Sequence, residues 1–252
     1  MTALTLRAVF RLALRQTEGL IGSIVRLLGL DLAIPDHFTL SRRTETLQVF
    51  PRPRSGTEPV HLLVDSTGLK LCGAGEWLVE KHGAKSRRSW RKLHIGMDAG
   101  TGQIVAAELT TNEVDDGSQV GPLLDQVTGP IASFTGDGAY DREDVYDIVA
   151  ERHPEAAVII PPRATALPSE TTTTQRDRHL AAIAKHGRIA WQRSSGYNRR
   201  SLVETAVFRY KTIIGRRLQA RTLPNQQTEA KIGCNVLNRM TRLGMPVSVR
   251  II

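Results

Sequence analysis

Three acidic residues, Asp65, Asp137 and Glu204, occupy positions that packing alone does not require. Asp65 closes the apolar run His61-Leu62-Leu63-Val64, and Asp137 follows the apolar stretch Ile131 to Phe134, set between Gly136 and Gly138. Glycine beside an acid at a strand end permits close approach of a ligand or another chain. If the two strands are neighbours, both carboxylates emerge at one edge of the sheet, where α/β proteins place their sites. Taken singly, either aspartate is also explained as a turn residue bonding its own backbone. Glu204 lies in Tyr197-Asn198-Arg199-Arg200-Ser201-Leu202-Val203-Glu204, continuing to Lys211. On a helix advancing about 100° per residue, Arg200, Glu204 and Lys211 fall within roughly 40° of one another. Leu202, Val203, Ala206, Tyr210, Ile213 and Ile214 are then expected on the core-facing side. An isolated Glu four residues from an Arg is a surface pair worth about 0.3–0.5 kcal/mol. Three convergent carboxylates repel one another unless protons or cations compensate, and a hard divalent cation such as Mg²⁺ does so through oxygen ligands. Two such ions about 3.5–4 Å apart can activate a water or a 3′-hydroxyl and stabilise the departing oxygen in phosphodiester transfer.

The surroundings of Glu204 favour a polyanion. Of a formal net charge of +9, the segment Arg163 to Arg221 carries thirteen Lys/Arg against Glu170, Asp177 and Glu204, a net +10. The rest of the chain is close to neutral. A second basic run, Lys81, Lys85, Arg87, Arg88, Arg91 and Lys92, contains no acid. Charge concentrated in this way is the electrostatic footprint of a nucleic-acid partner, with Arg and Lys holding phosphates. Aromatic residues make up only 5%, so stacking on single strands is not the theme. At 40% hydrophobic and 23% charged over 252 residues, the composition is that of a globular protein able to build a sizeable core. No run of about 18 uncharged apolar residues exists, and Arg7, Arg11 and Arg15 interrupt the N-terminus, which excludes a membrane span and a signal peptide. Cys72 and Cys234 cannot form a disulfide framework and read as buried small hydrophobes of a reducing cytoplasm.

The elements that must position these residues follow from periodicity and breakers. Residues 2 to about 48 read as helices: a run from Leu4 to Leu14, a second from Leu20 to Leu30, and a short segment begun by Pro35-Asp36. The set is either a helix-turn-helix or a plain helical cap. Phe50 to Gly56 is a breaker-rich linker, dividing a helical region, 1–50, from a domain at 57–252. Beyond it, His61–Val64, Trp77–His82, Trp90–Met97, Ile104–Leu109, Ile131–Phe134 and Ala157–Ile160 read as apolar strand segments. Asp116 is placed to cap a helix from Gly117 to Val127, and Asp141 one reaching Arg152. The plan is hairpins first and helical crossovers later, an α/β architecture. Asp98, Asp115, Asp116 and Asp141 are explained by turns and caps rather than as further ligands. His94, His153, His179 and His186 lack metal-ligand spacing, Ser66 has no histidine placed to activate it, and no Walker-type loop is present.

Together, Val64-Asp65-Ser66-Thr67-Gly68, Gly136-Asp137-Gly138-Ala139-Tyr140-Asp141 and the pattern Y-x2-R-x3-E-x6-K, met by Tyr197, Arg200, Glu204 and Lys211, resemble the DDE transposases of bacterial insertion sequences. The resemblance runs from about residue 60 to the C-terminus. It implies a ribonuclease-H-like mixed five-stranded sheet flanked by helices, with Asp65 on the first strand, Asp137 on the fourth and Glu204 on a following helix. It implies that these three are catalytic and hold Mg²⁺, for which Mn²⁺ substitutes, in cleavage at element ends and strand transfer into target DNA. Tyr197, Arg200 and Lys211, with Arg87, Arg88, Arg91 and Lys92, are the expected DNA contacts. The expected partners are terminal-repeat and target double-stranded DNA, on a homodimer at the element ends, with no membrane, in a nucleoid-associated cytoplasmic setting. The chain opens inside a helical region that further sequence precedes in many relatives, so a shortened N-terminus is expected. A nuclease that cuts without joining, and a truncated relative that binds DNA as a repressor, are the alternatives.

Overall fold

Alternation along a single strand decides which carboxylate faces which helix. The computed structural model describes residues 1–49, 58–71, 90–169 and 174–244. The Phe50–Gly56 linker, Cys72, the Trp77–His82 strand, Arg87 and Arg88 lie outside the described residues. The central strand β1 (Val60–Leu71) pairs antiparallel with β2 (Trp90–Asp98), which pairs antiparallel with β3 (Ile104–Thr111). On its other side β1 pairs parallel with β4 (Ile131–Thr135), and β4 with β5 (Ala157–Ile159). The order β3-β2-β1-β4-β5, with antiparallel hairpins first and parallel crossovers after, is the ribonuclease-H-like sheet. A sixth strand is added to the expected five: β6 (Arg217–Leu218) pairs parallel with the far end of β1.

Asp65 does not close its strand. Ser66 to Lys70 continue the ladder opposite His94 to Trp90, so Asp65 is a mid-strand residue. The polar run Ser66-Thr67 conceals this continuation, because it lacks the apolar alternation by which strands are read. Successive strand side chains point to opposite faces. Leu62 and Val64 accordingly join a core with Val120, Leu123, Val145 and Val149 from α4 (Val120–Leu124) and α5 (Glu143–Arg152). Leu63 and Leu69 join the opposite core, with Val203 and Ala206 of α8 (Ser201–Arg209) and Ala230, Cys234 and Leu237 of α9 (Leu223–Leu243). Asp65 shares the parity of Leu63 and Leu69, which directs it to the face that carries Glu204.

Between α8 and α9 the chain winds through a π-helical turn, Tyr210–Ile214. Tyr210 is fully buried, and its ring lies on Gly233: a Cβ there would sit 2.8 Å from Cε2 and 2.9 Å from the hydroxyl. Gly233→Ala improves helix propensity by about 1 kcal/mol, but overpacking in a dense core costs about 1–3 kcal/mol or more. The expected outcome is a lower urea midpoint for Gly233→Ala, against the propensity trend; a raised midpoint would contradict the packing described. Cys234, beside it, is buried as a small hydrophobe, and burial pushes its thiol up to about 12.

The N-terminal helices are α1 (Thr2–Phe10), α2 (Leu14–Leu27) and α3 (His37–Thr46). Arg11 adopts a left-handed conformation and stops α1 before Leu14, so the second helix begins six residues earlier than its apolar run indicates. Asp36 caps α3 as expected, accepting from the Thr39 amide at 2.6 Å. Leu4 and Leu40 pack with Ile232 and Val236 of α9. The helix expected from Gly117 to Val127 shrinks to a 3-10 turn, Gly117–Gln119, and the short α4, since Gly121 and Pro122 weaken helix propensity there. Among the described residues no helix is long and apolar enough to cross a membrane.

Candidate active site

Parallel pairing sets the two aspartates side by side. Leu63 is in register with Thr135 on β4. Asp65 follows by two residues within β1, whereas Asp137, expected on the fourth strand, stands two residues past the end of β4, which runs about 4.8 Å from β1. Asp137 also keeps the turn role: its Oδ1 accepts from the Ala139 amide at 2.9 Å and caps the 3-10 turn Gly138–Tyr140. The glycine before it serves the fold rather than an incoming chain. A Cβ on Gly136 would meet the Tyr140 ring at 2.9 Å, so Gly136 is there to admit Tyr140. Glu204 arrives from the first turn of α8.

One side chain joins all three acids. The Arg200 Nη2 lies 3.3 Å from Asp65 Oδ1 and 3.4 Å from Asp137 Oδ2, and its Nη1 donates to Glu204 Oε1 at 2.5 Å. The sequence shows Arg200 and Glu204 as a four-residue helical pair; the structure makes Arg200 the countercharge of the whole cluster. Arg200 closes a 3-10 turn, Tyr197–Arg200, entered through Gly196 in the left-handed region. Its Nε is buried without a hydrogen-bond partner. Burial, more than any neighbour, holds Asp65 above the ordinary carboxylate range. Arg200 and the Ser66 amide pull it down, and Asp137 and Glu204 push it up. Tyr197 stands beside this cluster, half-buried, its ring 5.5 Å from that of Trp191. Burial raises its hydroxyl pKa, with Arg200, Asp137 and Glu204 as its charged neighbours.

The donor chemistry is that of a hard divalent cation: carboxylate oxygens only, on rigid elements, with Asp65 carrying an unfavourable buried charge. Among the described residues, however, no three His, Cys, Asp or Glu groups stand close enough together to hold a metal ion. The planar guanidinium, with donors on several edges, spans the gaps between them.

The other expected DNA contacts are dispersed. The π-helical turn after Arg209 changes the phase between Glu204 and Lys211, and Lys211 lines a cavity with Arg7 and Arg11 instead of joining the trio. On β2, Arg91 Nε donates to Gln226 Oε1 at 3.0 Å, and Lys92 Nζ to the Val114 carbonyl and Asp116 Oδ1 at 2.8 and 3.1 Å. Leu202, expected to face the core, is 42% exposed. It precedes Val203, which takes the core position on a helix only nine residues long.

Two acids depart from their expected capping roles. Asp116 makes no cap; it lies between Lys92 and His94, while Asp115 accepts from the Ser118 amide at 3.3 Å. Asp141 does not cap α5. Its buried carboxylate takes the Arg163 amide at 2.8 Å and the Arg176 Nε at 2.7 Å, tying the loop after β5 and α6 (Gln175–His186) to the Asp137 turn. Asp98 keeps its turn role, accepting from the Gly100 and Thr101 amides.

His94 is a buried titratable residue whose surroundings spacing does not reveal. It is fully buried, with Nε2 2.9 Å from Thr110 Oγ1 and Nδ1 3.5 Å from Asp116. Burial and the Lys92 charge lower its pKa from 6.5 to about 4, against the raising influence of Asp116 and Asp115. A folded-state pKa below the unfolded one means the unfolded chain binds more protons between these values. Stability is therefore complete above pH 6.5 and is lost as pH falls toward 4, by on the order of 3 kcal/mol. In urea titrations from pH 7 to 4, His94→Gln is expected to flatten this loss; an equally steep decline in the variant would contradict it.

The mixed sheet, with its helices on both faces, is an α/β domain of ribonuclease-H-like type. The family model described as "Transposase DDE domain" matches residues 56–239, and a second model of the same description matches residues 1–74. The chain belongs to the DDE transposase domain family. Members of this family generally use divalent metal ions. Among solved structures, the chain is similar to piggyBac transposase in its cryo-EM synaptic complex with hairpin DNA. That match has a TM-score of 0.40 and 12% identity, over 76% of this chain and 50% of that one. The chain thus spans about half the length of that transposase chain.

Proposed function

We propose that the protein is a DNA transposase that cleaves strands at insertion-sequence ends and transfers them into target DNA, using Asp65, Asp137 and Glu204. The observation that carries this reading is the convergence of the three carboxylates, from β1, the β4 turn and α8, on one guanidinium. Asp65, Asp137 and Glu204 would hold a divalent cation, Mg²⁺ or Mn²⁺, which when bound would supply activation of water or a 3′-hydroxyl and offset charge on the phosphate under attack. Asp65 is held by its place in β1 and Asp137 by the capped turn just after β4, which favours a separation set before substrate arrives. Glu204 sits on a more exposed helix turn and completes the set from the other side. Arg200 balances the trio in the absence of other cations and must yield these oxygens before they serve as ligands. Once released, its fork suits a phosphate oxygen of the bound strand. Tyr197, next to it, presents a ring and a hydroxyl to the same strand. The DNA is double-stranded, comprising element ends and target, and the active assembly is a homodimer on paired ends.

The test is a strand-transfer assay with labelled end-bearing duplex, target plasmid and Mg²⁺. Joined product is expected. Nicked product alone would instead identify a nuclease, and a gel shift without cleavage a DNA-binding repressor; either contradicts the proposal.

A further inference from the structure

Behind the trio's helix, a cavity of about 370 Å³ opens between the end of α1, the π-helical turn, β6 and α9. Its walls carry five cations, Arg7, Arg11, Lys211, Arg216 and Arg217, and one acid, Glu229. That acid is already engaged: its carboxylate accepts from the Gln219 and Ala220 amides at 2.8 and 2.7 Å, with Arg7 Nη1 3.9 Å away. Burial also favours its neutral form.

Three further features of the same wall have no account in packing alone. Arg7 is only 12% exposed, yet its Nε has no hydrogen-bond partner. An orphaned buried donor in a cationic pocket costs stability unless a ligand satisfies it. Arg11 is the only non-glycine residue with positive φ among the described residues, at 54°. Its guanidinium donates to the Thr212 and Ile213 carbonyls at 2.6 and 3.1 Å, which clamps α1 to the π-helical turn. Strained backbone and π-helical turns recur at functional sites, where the surrounding structure over-determines them. Finally, Lys211 and Arg216 line the cavity with side chains that make no ion pair or hydrogen bond among the described residues.

Together these features describe a site prepared for an oxyanion. Its place in the fold says which. Arg217 pairs with Lys70, five residues along β1 from Asp65, which is about 17 Å at the rise of a strand. At 3.4 Å per base pair, that distance corresponds to about five pairs of a duplex running along the direction of β1. We propose that the cavity is a phosphate site that holds one DNA backbone phosphate about five base pairs from the cleavage centre. Arg7 and Arg11 of α1 contribute to it, so the N-terminal helices take part in seating the strand. The inference rests on the transposase reading but is tested separately from it.

The experiment uses the full chain and a fluorescent 20-base-pair duplex, with affinity measured from low to moderate salt. The double variant Lys211→Gln/Arg216→Gln removes two side chains that make no ion pair or hydrogen bond among the described residues. Loss of one phosphate contact lowers the slope of log affinity against log salt by about 0.9. A slope reduced by about 1, with binding about fivefold to tenfold weaker at 0.1 M salt, is expected. The double variant Arg178→Gln/Lys185→Gln, equal in charge change and exposed on α6, is expected to leave the slope unchanged. Equal effects of both pairs would overturn the proposal, since net charge alone would then suffice. Inorganic phosphate is expected to raise the melting temperature of the wild type and not that of Lys211→Gln/Arg216→Gln. Phosphate binding with an unchanged duplex slope would make this a free-phosphate site and overturn the DNA assignment. End cleavage with an unaltered slope in the cavity variant would remove this inference and leave the transposase reading intact. A reduced slope without cleavage by the wild type would do the reverse.

Discussion

Asp137→Asn is expected to lower end cleavage by about 10³-fold or more while duplex affinity changes by less than about threefold, and Asp65→Asn and Glu204→Gln to do the same. The amides are nearly isosteric, so packing survives. Asp137→Asn keeps a carbonyl oxygen to cap the Gly138–Tyr140 turn. Each variant removes the negative charge that a hard cation requires, in a site whose three proposed donors are all carboxylates. A 10³-fold loss corresponds to about 4 kcal/mol of transition-state stabilisation, which is within what one ligand of a catalytic cation can supply. Binding is expected to be spared because the proposed phosphate contacts are basic side chains elsewhere. Quantifying cleaved strand on denaturing gels beside anisotropy titrations separates the two quantities. Any one variant with near-normal cleavage would contradict the assignment of that residue.

The second large effect concerns Arg200. Arg200→Gln is expected to lower stability at neutral pH by about 2 kcal/mol, and divalent cation is expected to restore more of it than it adds to the wild type. Removing one partner of a buried ion cluster costs about 3–5 kcal/mol. Glu204 is exposed and Asp137 partly so, which reduces that figure by solvent screening. Asp65 bears most of the loss. Its pKa is already raised by burial, and Arg200 is the chief influence lowering it. A carboxylate whose folded pKa lies above the unfolded value destabilises the fold once pH exceeds its unfolded pKa. The deficit of the variant is therefore largest near pH 7 and fades as pH falls through the raised value. Arg200→Lys keeps the charge without the fork and should recover part of the loss. Melting curves with and without millimolar Mg²⁺ check this; equal metal-induced shifts in wild type and Arg200→Gln would contradict Arg200 as the resting countercharge.

The strands that carry Asp65 and lead to Asp137 are legible from local pattern, because the apolar runs before these candidate residues mark buried strands whatever the tertiary context. Glu204 was legible from its isolation in a basic segment and its spacing to Arg200. Three things were not. The length of β1 was hidden because Ser66 and Thr67 pair by backbone, which leaves no apolar signature. The role of Arg200 was hidden because a four-residue helical spacing reports Glu204 alone, whereas its contacts to Asp65 and Asp137 span 135 and 63 residues. The separation of Lys211 from the trio depends on a π-helical turn, and one extra residue in a helical turn rotates everything after it. Asp116 and Asp141 show the same limit. Each satisfies the residue preference of an N-cap, but a long-range cation, Lys92 or Arg176, takes the carboxylate instead. Gly136 marks a close approach, but of the Tyr140 ring of the same chain and not of the ligand or second chain that its place beside an acid suggests.

The most direct test of whether the trio holds the catalytic cation is a ligand exchange at one of its positions. Asp137→Cys replaces a hard oxygen by a soft thiolate, which discriminates against Mg²⁺ and tolerates Mn²⁺ better. With the end-bearing duplex bound at saturation, cleavage by Asp137→Cys should be abolished in Mg²⁺ and measurably restored in Mn²⁺, relative to Asp137→Ala under the same conditions. Cleavage by Asp137→Cys that is indifferent to the choice of cation, or no better than Asp137→Ala in Mn²⁺, would contradict the account.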